Sequence, residues 1–426
     1  MNKIFTVAIL GAGGRGNGFC HNFGRMTDKY KITAVCDINP EQIEKVKRNF
    51  PDFLADADFY YNEDDFFAEK RADVMVIATY DKDHVRQCIK AMKQGYDVLL
   101  EKPISNDYDE LTELLKVQEE TGRNVLVCHE LRYGPAYIML SKLLEDGILG
   151  ELIAIDAFER VAYWHQAQAY VRIQSQVQGV FLSTILAKCS HDLDLVQHYA
   201  GSECDTVTSI GGLSFFRREN APKDSTQHCL DCPHVETCPY SAKRIYIDRW
   251  KADGCPAFDW PYSKVSLINP NTEENLYEGI KNTYFGECVF RLGVESNKSV
   301  VDHQLVQMQF KNGVTASLKM VFGGIPGRRI NLFGTHGEVL MDERREFIEI
   351  YRCGEEKEVI EFKNIPEAGH GHGGGDGILV AEMYDVLCGN SKPKTSLRES
   401  IESHLMGIAA EDSRLSGGEL VKVHKD

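Results

Sequence analysis

Three groups of residues in this chain have the types and spacing that chemistry requires. The first is Gly11-Ala12-Gly13-Gly14-Arg15-Gly16, a G-x-G-x-x-G turn that follows the apolar run FTVAIL and opens a helical pattern. Glycines at Gly11, Gly13 and Gly16 allow a tight turn, a close backbone approach to a pyrophosphate and close helix packing, with Gly14 and Arg15 on the same loop. Free N–H groups at the helix start receive the phosphate charge. Asp37 closes the next apolar run about twenty residues on and would accept from both ribose hydroxyls. Its charge would repel a 2′-phosphate, so NAD is expected in preference to NADP.

The second group is LLEKPIS, Leu99 to Ser105, where an apolar strand ends on a carboxylate, an ammonium and a stiffening proline. In an open α/β sheet, ligands bind beyond the carboxyl ends of the strands. Glu101 and Lys102 fall there, as do Thr79 and His84 of ATYDKDH. Lys102 therefore points at the crevice where a nicotinamide ring would lie, against the plain alternative of an exposed loop lysine. The third group is HCLDCPHVETCPYSA, which sets Cys229, Cys232 and Cys238 close together, with Cys255, Cys288, His228 or His234 as a fourth donor. A C-x-x-C turn can place two thiolates on one ion. Structural zinc, an iron–sulfur cluster and unbound thiols all stay open.

These groups need elements to carry them. The first third of the chain alternates continuous apolar runs with amphipathic helical patterns, from FTVAIL through ITAVCD, ADVMVIAT and YDVLL to NVLVCHE. That pattern predicts a parallel sheet covered on both faces, a doubly wound α/β domain. Beyond it, VDHQLVQMQFKNGVTASLKMVF, RRINLFGTHGEVLMD and FIEIYRC alternate apolar and polar residues around NG and HGE turns, as an antiparallel sheet with one buried face would. At 426 residues the chain exceeds one core. The expected division is a dinucleotide-binding domain over 1–134 and an α+β domain over 135–426, with a Cys-rich insertion near 204–260.

A formal charge of −16 disfavours nucleic acid and anionic membrane as partners. No stretch approaches the roughly 18 apolar residues of a membrane span. The run in MNKIFTVAIL is short and lacks a cleavage pattern, and the 13 cysteines do not read as a secreted disulfide framework. A cytoplasmic protein is expected.

AILGAGGRG, ATYDKDH, EKP and CSHDLD together resemble the Gfo/Idh/MocA family, the glucose–fructose oxidoreductase and inositol dehydrogenase relatives, over most of the chain. The resemblance implies an N-terminal Rossmann domain and a C-terminal α/β domain on a large, mainly antiparallel sheet. It also implies hydride transfer between a nicotinamide cofactor and a sugar or polyol, with Lys102 in the active site and a dimer or tetramer formed through the C-terminal sheet. The family motif Asp-x-Gly-x-His-x-x-Asp is matched by His191 and Asp194, but Ala187 stands where its first aspartate belongs. Lys188, next in the chain, is a candidate substitute, and Lys188, His191 and Asp192 share one helical face. Tyr163, Trp164, His165 and Arg172 of RVAYWHQAQAYVR resemble a substrate segment, and Arg132 and Tyr133 of HELRYGPAY could reach the crevice. In AGHGHGGGDGIL, His370, His372 and Asp376 could bind metal or close over substrate, with a mobile cap the preferred reading.

The expected chemistry is NAD-dependent oxidation or reduction of a sugar or polyol, with His191 as base and Lys102 binding the reacting oxygen or itself acting as base. A redox-neutral glycosidase, which oxidises a sugar hydroxyl transiently, eliminates the aglycone and reduces the product again, is the second reading. A third is a dinucleotide-sensing regulator or scaffold without activity.

Overall fold

The alternating runs of the first third form six strands, all parallel, ordered across the sheet as Asp58–Tyr60, Tyr30–Cys36, Phe5–Leu10, Val74–Ile77, Asp97–Leu100 and Val125–Val127. The computed structural model describes residues 3–173, 175, 183–257, 259–266, 270–294, 299–365 and 375–425. Every residue of Val74–Ile77 is buried, as a central strand covered by helices on both faces requires. The strand order reverses between Phe5–Leu10 and Val74–Ile77, and this switch point opens the crevice at the strands' carboxyl ends. Local signals set the helices. Asn39 caps Pro40–Asn49 by accepting from the Glu41 N–H, with proline at the first position. Asp107 caps Tyr108–Thr121, and Gly122 ends it in the left-handed region.

The second sheet has nine strands. From one edge they run Glu358–Glu361, Phe347–Arg352, Gly337–Asp342, Gly327–Gly334, Leu152–Val161, Thr315–Phe322, His303–Phe310, Cys204–Gly212 and Val421–Lys422. All pairings are antiparallel except Leu152–Val161 with Thr315–Phe322. The NG turn joins His303–Phe310 to Thr315–Phe322, and the HGE turn joins Gly327–Gly334 to Gly337–Asp342, as the alternation predicts. One face is packed by the helices Thr184–Ala200 and Leu397–Leu415. Among the described residues no helix is long and apolar enough to cross a membrane.

Two boundaries differ from expectation. Cys204–Gly212 is a strand of the large sheet, so the insertion begins after it and runs to the next strand at His303. It has its own core, in which Phe216, Tyr246, Trp250 and Tyr262 pack with Ala167 and Val171. The helix Gly375–Leu387 leaves the second domain and returns to the first. Its Leu379, Val380 and Met383 join the core of Phe5, Phe23 and Tyr30, and the Tyr30 hydroxyl donates to the Val380 carbonyl at 2.9 Å. Thr395 and Ser396 then cover the edge strand Val125–Val127. Apolar surface on the Rossmann helices thus recruits a late segment that sequence proximity does not suggest.

Candidate active site

The glycine turn has the shape its spacing predicts. Gly11 sits at φ +93°, and a Cβ on Gly16 would stand 1.8 Å from the Gly11 oxygen. Above Gly13 the space is open, with nothing within 4 Å of a Cβ placed there. The helix Gly14–Gly24 begins without a side-chain cap, leaving its N–H groups to face that space. Asp37 accepts from the Ala12 N–H at 2.7 Å and the Asn39 N–H at 2.8 Å, which fixes it beside the loop. These features fit the pyrophosphate and ribose of a dinucleotide. Lys264, exposed on the insertion, reaches the same loop, since a Cβ on Gly14 would lie 3.7 Å from its Nζ.

Arg15 and Glu101, expected at the cofactor, pair with each other. The Arg15 guanidinium turns to Glu101, Glu130 and Asp376, the last at 2.9 Å. Three carboxylates buried together need a counter-charge, and Arg15, raised well above its ordinary value by those neighbours despite the opposing effect of burial, supplies it. Thr79 donates to Gln87 at 2.6 Å. His84, buried, places Nδ1 2.8 Å from the Pro103 carbonyl and so braces the lysine loop from below.

The other brace is His404, from the helix Leu397–Leu415. Its Nε2 accepts from the Ile104 N–H at 2.9 Å, so Nδ1, 2.7 Å from the Ser400 carbonyl, carries the proton. Burial, with His129 next, pushes this ring down to about 3, which keeps it neutral. Between the braces Lys102 is half-buried, and among the described residues no hydrogen bond or ion pair claims its ammonium.

The helix Thr184–Ala200 packs beside the Glu130–Tyr133 turn. His191 is buried with Nε2 3.4 Å from Glu130 Oε2, and its ring meets His129 edge-on at 5.8 Å. Burial pushes His129 down to about 4. Lys188 places Nζ 2.8 Å from Glu159, and Arg328 lies 3.1 Å from Glu159 and 2.8 Å from Asp192. Burial raises Glu159, but Arg328 and Lys188 outweigh it and hold the carboxylate below its ordinary range. Asp192, expected to bind substrate, is instead locked on Arg328 in this set of two anions and two cations.

After the strand Leu152–Val161, Tyr163, Trp164 and His165 form the remaining wall. Trp164 lies 5.6 Å from His165 and 5.1 Å from Trp260, with the Arg249 guanidinium 3.9 Å over its ring. Burial pushes the His165 imidazole well below its ordinary value, and the ammoniums of Lys188 and Lys102 push it further. Those three side chains therefore share one electrostatic neighbourhood.

Other sequence-based expectations are not brought to the crevice. Arg132 forks onto Asp194, 2.7 Å to each oxygen, and is buried there, because a carboxylate in that interior needs a bidentate partner. Tyr133 is buried with its hydroxyl 3.1 Å from Thr395. Arg172 is fully buried and donates to the carbonyls of Glu287 and Tyr240, tying the insertion down. Cys255 is exposed and stands apart from the cavity that Cys229, Cys232, Cys238 and Cys288 line. His370 and His372 lie outside the described residues, while Asp376 is on Arg15. Sequence reasoning passed over Glu130, Glu159, Arg328, Trp260, Lys264 and His404. For Glu130 a signal existed, since it lies three residues past the carboxyl end of the strand Val125–Val127.

Residues 5–129 match the NAD-binding Rossmann domain of the Gfo/Idh/MocA oxidoreductases, and residues 141–423 match the C-terminal α/β domain of the same family. The chain belongs to the Gfo/Idh/MocA family. Within that family it is 23% identical to YteT of Bacillus subtilis (strain 168) over 392 residues, 86% of each chain. It is 26% identical to a glycosyl hydrolase family 109 protein of Shewanella amazonensis over 244 residues, 53% of this chain and 52% of that one. A levoglucosan dehydrogenase solved in complex with NADH superposes over the whole of both chains with a TM-score of 0.69 at 14% identity, a likeness of fold.

Proposed function

We propose that this protein is an NAD-dependent oxidoreductase acting on a hydroxyl-bearing carbon of a sugar, polyol or glycoside. The observation that carries this reading is Lys102, at the strand ends and in the electrostatic neighbourhood of His165, with no ion pair to its ammonium among the described residues. Bound at the glycine turn, NAD would take a hydride from the substrate carbon. Lys102 binds the reacting oxygen and stabilises the negative charge that grows on it as the proton leaves. His191, oriented by Glu130, is the base that receives that proton. Trp164 and Trp260 offer flat faces to the apolar face of a pyranose, and His165, kept neutral, can donate to or accept from a hydroxyl. Glu159 returns a carboxylate to the neighbourhood that Ala187 leaves without one.

The redox-neutral glycosidase reading is favoured by the same uncommitted lysine and by the family 109 relative. It shares the first oxidation and differs in the later elimination and re-reduction. Absorbance at the NADH band during incubation with free sugars and with aryl glycosides separates the two. Net NADH from a free sugar supports a dehydrogenase, and aglycone release without NADH accumulation supports the glycosidase. Neither product from a broad panel, with NAD binding intact, would remove both. The open face of the large sheet, which carries Ile210 and Tyr351, would meet a second copy. Light scattering in solution tests that surface.

A further inference from the structure

Six of the thirteen cysteines, Cys20, Cys36, Cys88, Cys128, Cys189 and Cys204, are buried and not in a disulfide. Four others gather. Cys229, Cys232, Cys238 and Cys288 line one small cavity in the insertion, walled by Pro222, Val235 and Phe290. None of the four is in a disulfide.

Local hydrogen bonds bring them there. The Cys232 N–H donates to the Cys229 carbonyl at 3.2 Å and the Cys238 N–H to the His234 carbonyl at 2.8 Å, two tight turns in succession. His228 pairs with Glu287 as an antiparallel bridge, and the Cys288 N–H donates to the Gln227 carbonyl at 2.8 Å. That bridge sets Cys288 beside Cys229. The two nearby histidines are already used. His228 accepts from the Leu230 N–H and faces the Ile280 carbonyl, and His234 faces the Lys223 carbonyl at 2.6 Å.

A second observation gives the charge state of the sulfurs. Arg172 has no exposed surface, and its Nη2 lies 3.7 Å from Cys229 Sγ. Its other partners are the carbonyl oxygens of Glu287 and Tyr240 and the Tyr246 ring, and among the described residues no carboxylate pairs with it. A buried guanidinium without a counter-ion costs several kcal/mol. Free thiols would not answer it, because an S–H group carries no charge. Four thiolates on an inorganic centre would, since such a centre retains net negative charge.

The spacing selects the centre. Zinc at about 2.3 Å from each sulfur draws four sulfurs to within about 3.8 Å of one another and leaves no space between them. Here the sulfurs surround a cavity, and the group of donors found within 4.8 Å of one another is Glu101, Cys128 and Glu130, already filled by Arg15. A cuboidal cluster holds its cysteines farther apart. We propose that Cys229, Cys232, Cys238 and Cys288 ligate a four-iron, four-sulfide cluster, with Arg172 as its counter-charge.

The cluster would act as a staple with a reach into the crevice. Arg172 lies near the end of the helical segment Gln166–Ile173, whose preceding turn presents Trp164 and His165. Tyr240, two residues after Cys238, meets the Tyr163 ring at 6.0 Å. This second consequence rests on the proposed function, whereas the cluster itself does not.

The test is metal and sulfide analysis of the full-length protein purified without oxygen and reconstituted with ferrous iron and sulfide. About four irons and four sulfides per chain, with visible charge-transfer absorbance, are expected. C288S is expected to lose that absorbance, and C255S to keep it. One zinc per chain without sulfide overturns the cluster, as does iron-free protein after reconstitution. If C288S does not fold, C238S and the wild-type stoichiometry decide. Loss of the cluster should raise the KM for the organic substrate about tenfold while the KM for NAD stays put. Intact metal content with no turnover on any sugar would remove the functional reading and leave the cluster standing.

Discussion

On the Rossmann side of the crevice, Lys102 stands at a strand end with its ammonium unclaimed. On the helix Thr184–Ala200, Lys188 is clasped by Glu159 at 2.8 Å, and the next carboxylate, Asp192, is held by Arg328. Two lysines of one crevice thus have opposite environments. The open one costs little to keep because water reaches it, and it is available to a ligand. The closed pair is built on a buried carboxylate, Glu159, and each charge there depends on its partner. Charge balance, more than residue type, separates the lysine that could react from the one that supports.

The largest expected effect attacks the closed side. Glu159→Ala leaves Lys188 and Arg328 with one carboxylate between them, and the expected loss is about 3–5 kcal/mol of stability, read from urea unfolding. A loss below the resolution of the measurement would mean that the set is hydrated and that the contrast fails. On the open side the effect should fall on turnover instead. Lys102→Ala is expected to lower kcat about 10²–10³-fold with an unchanged unfolding midpoint, since its charge is not part of the packing. Retained turnover would reverse the assignment of the two lysines.

A pH series sharpens the same contrast through the rings behind the crevice. His129 and His404 have no exposed surface and are pushed down to about 4 and about 3, so both are neutral in the folded protein at pH 6. The unfolded chain binds protons there below its ordinary value of about 6.5. Their contribution is therefore complete above that pH and is lost as pH falls through 6.5 toward 4. Between pH 6.5 and 5 the expected decline is roughly 2 kcal/mol per ring, seen as a falling urea midpoint. A flat midpoint over this range would show that the rings take up protons in place. Smallest is Lys264→Ala, expected to raise the KM for NAD about tenfold, the equivalent of ~1.4 kcal/mol, with kcat unchanged.

Much of the first wall was legible. The glycine turn, Asp37 and the EKP lysine sit next to strands whose apolar runs announce them, so position along the chain and position in space coincide. The hairpins of the second sheet were legible for the same reason, with period-two alternation broken by NG and HGE. What the sequence hid was pairing over long separations. Arg132 and Arg172 are basic residues in polar-looking motifs, and nothing local says that one meets Asp194 and the other the carbonyls of Glu287 and Tyr240. Arg15 lies in the glycine turn, and nothing local announces its partners. The three acids that capture it come from Glu101, Glu130 and Asp376, brought together only by the completed sheet and the returning helix. The sequence left Cys255, Cys288, His228 and His234 open beside the three clustered cysteines, and only the fold shows that the His228–Glu287 bridge sets Cys288 next to Cys229.

The helix Gly375–Leu387 gives the two lobes an unusual connection. Because a late piece of chain is built into the flank of the nucleotide half, the polypeptide passes between lobes at residue 134, again before residue 375 and once more near residue 396. Motion of one lobe against the other must therefore carry this helix along with the nucleotide half. A fragment cut after residue 134 would also lack part of its own interior, so the nucleotide half should be obtained by co-expressing it with its distant helix.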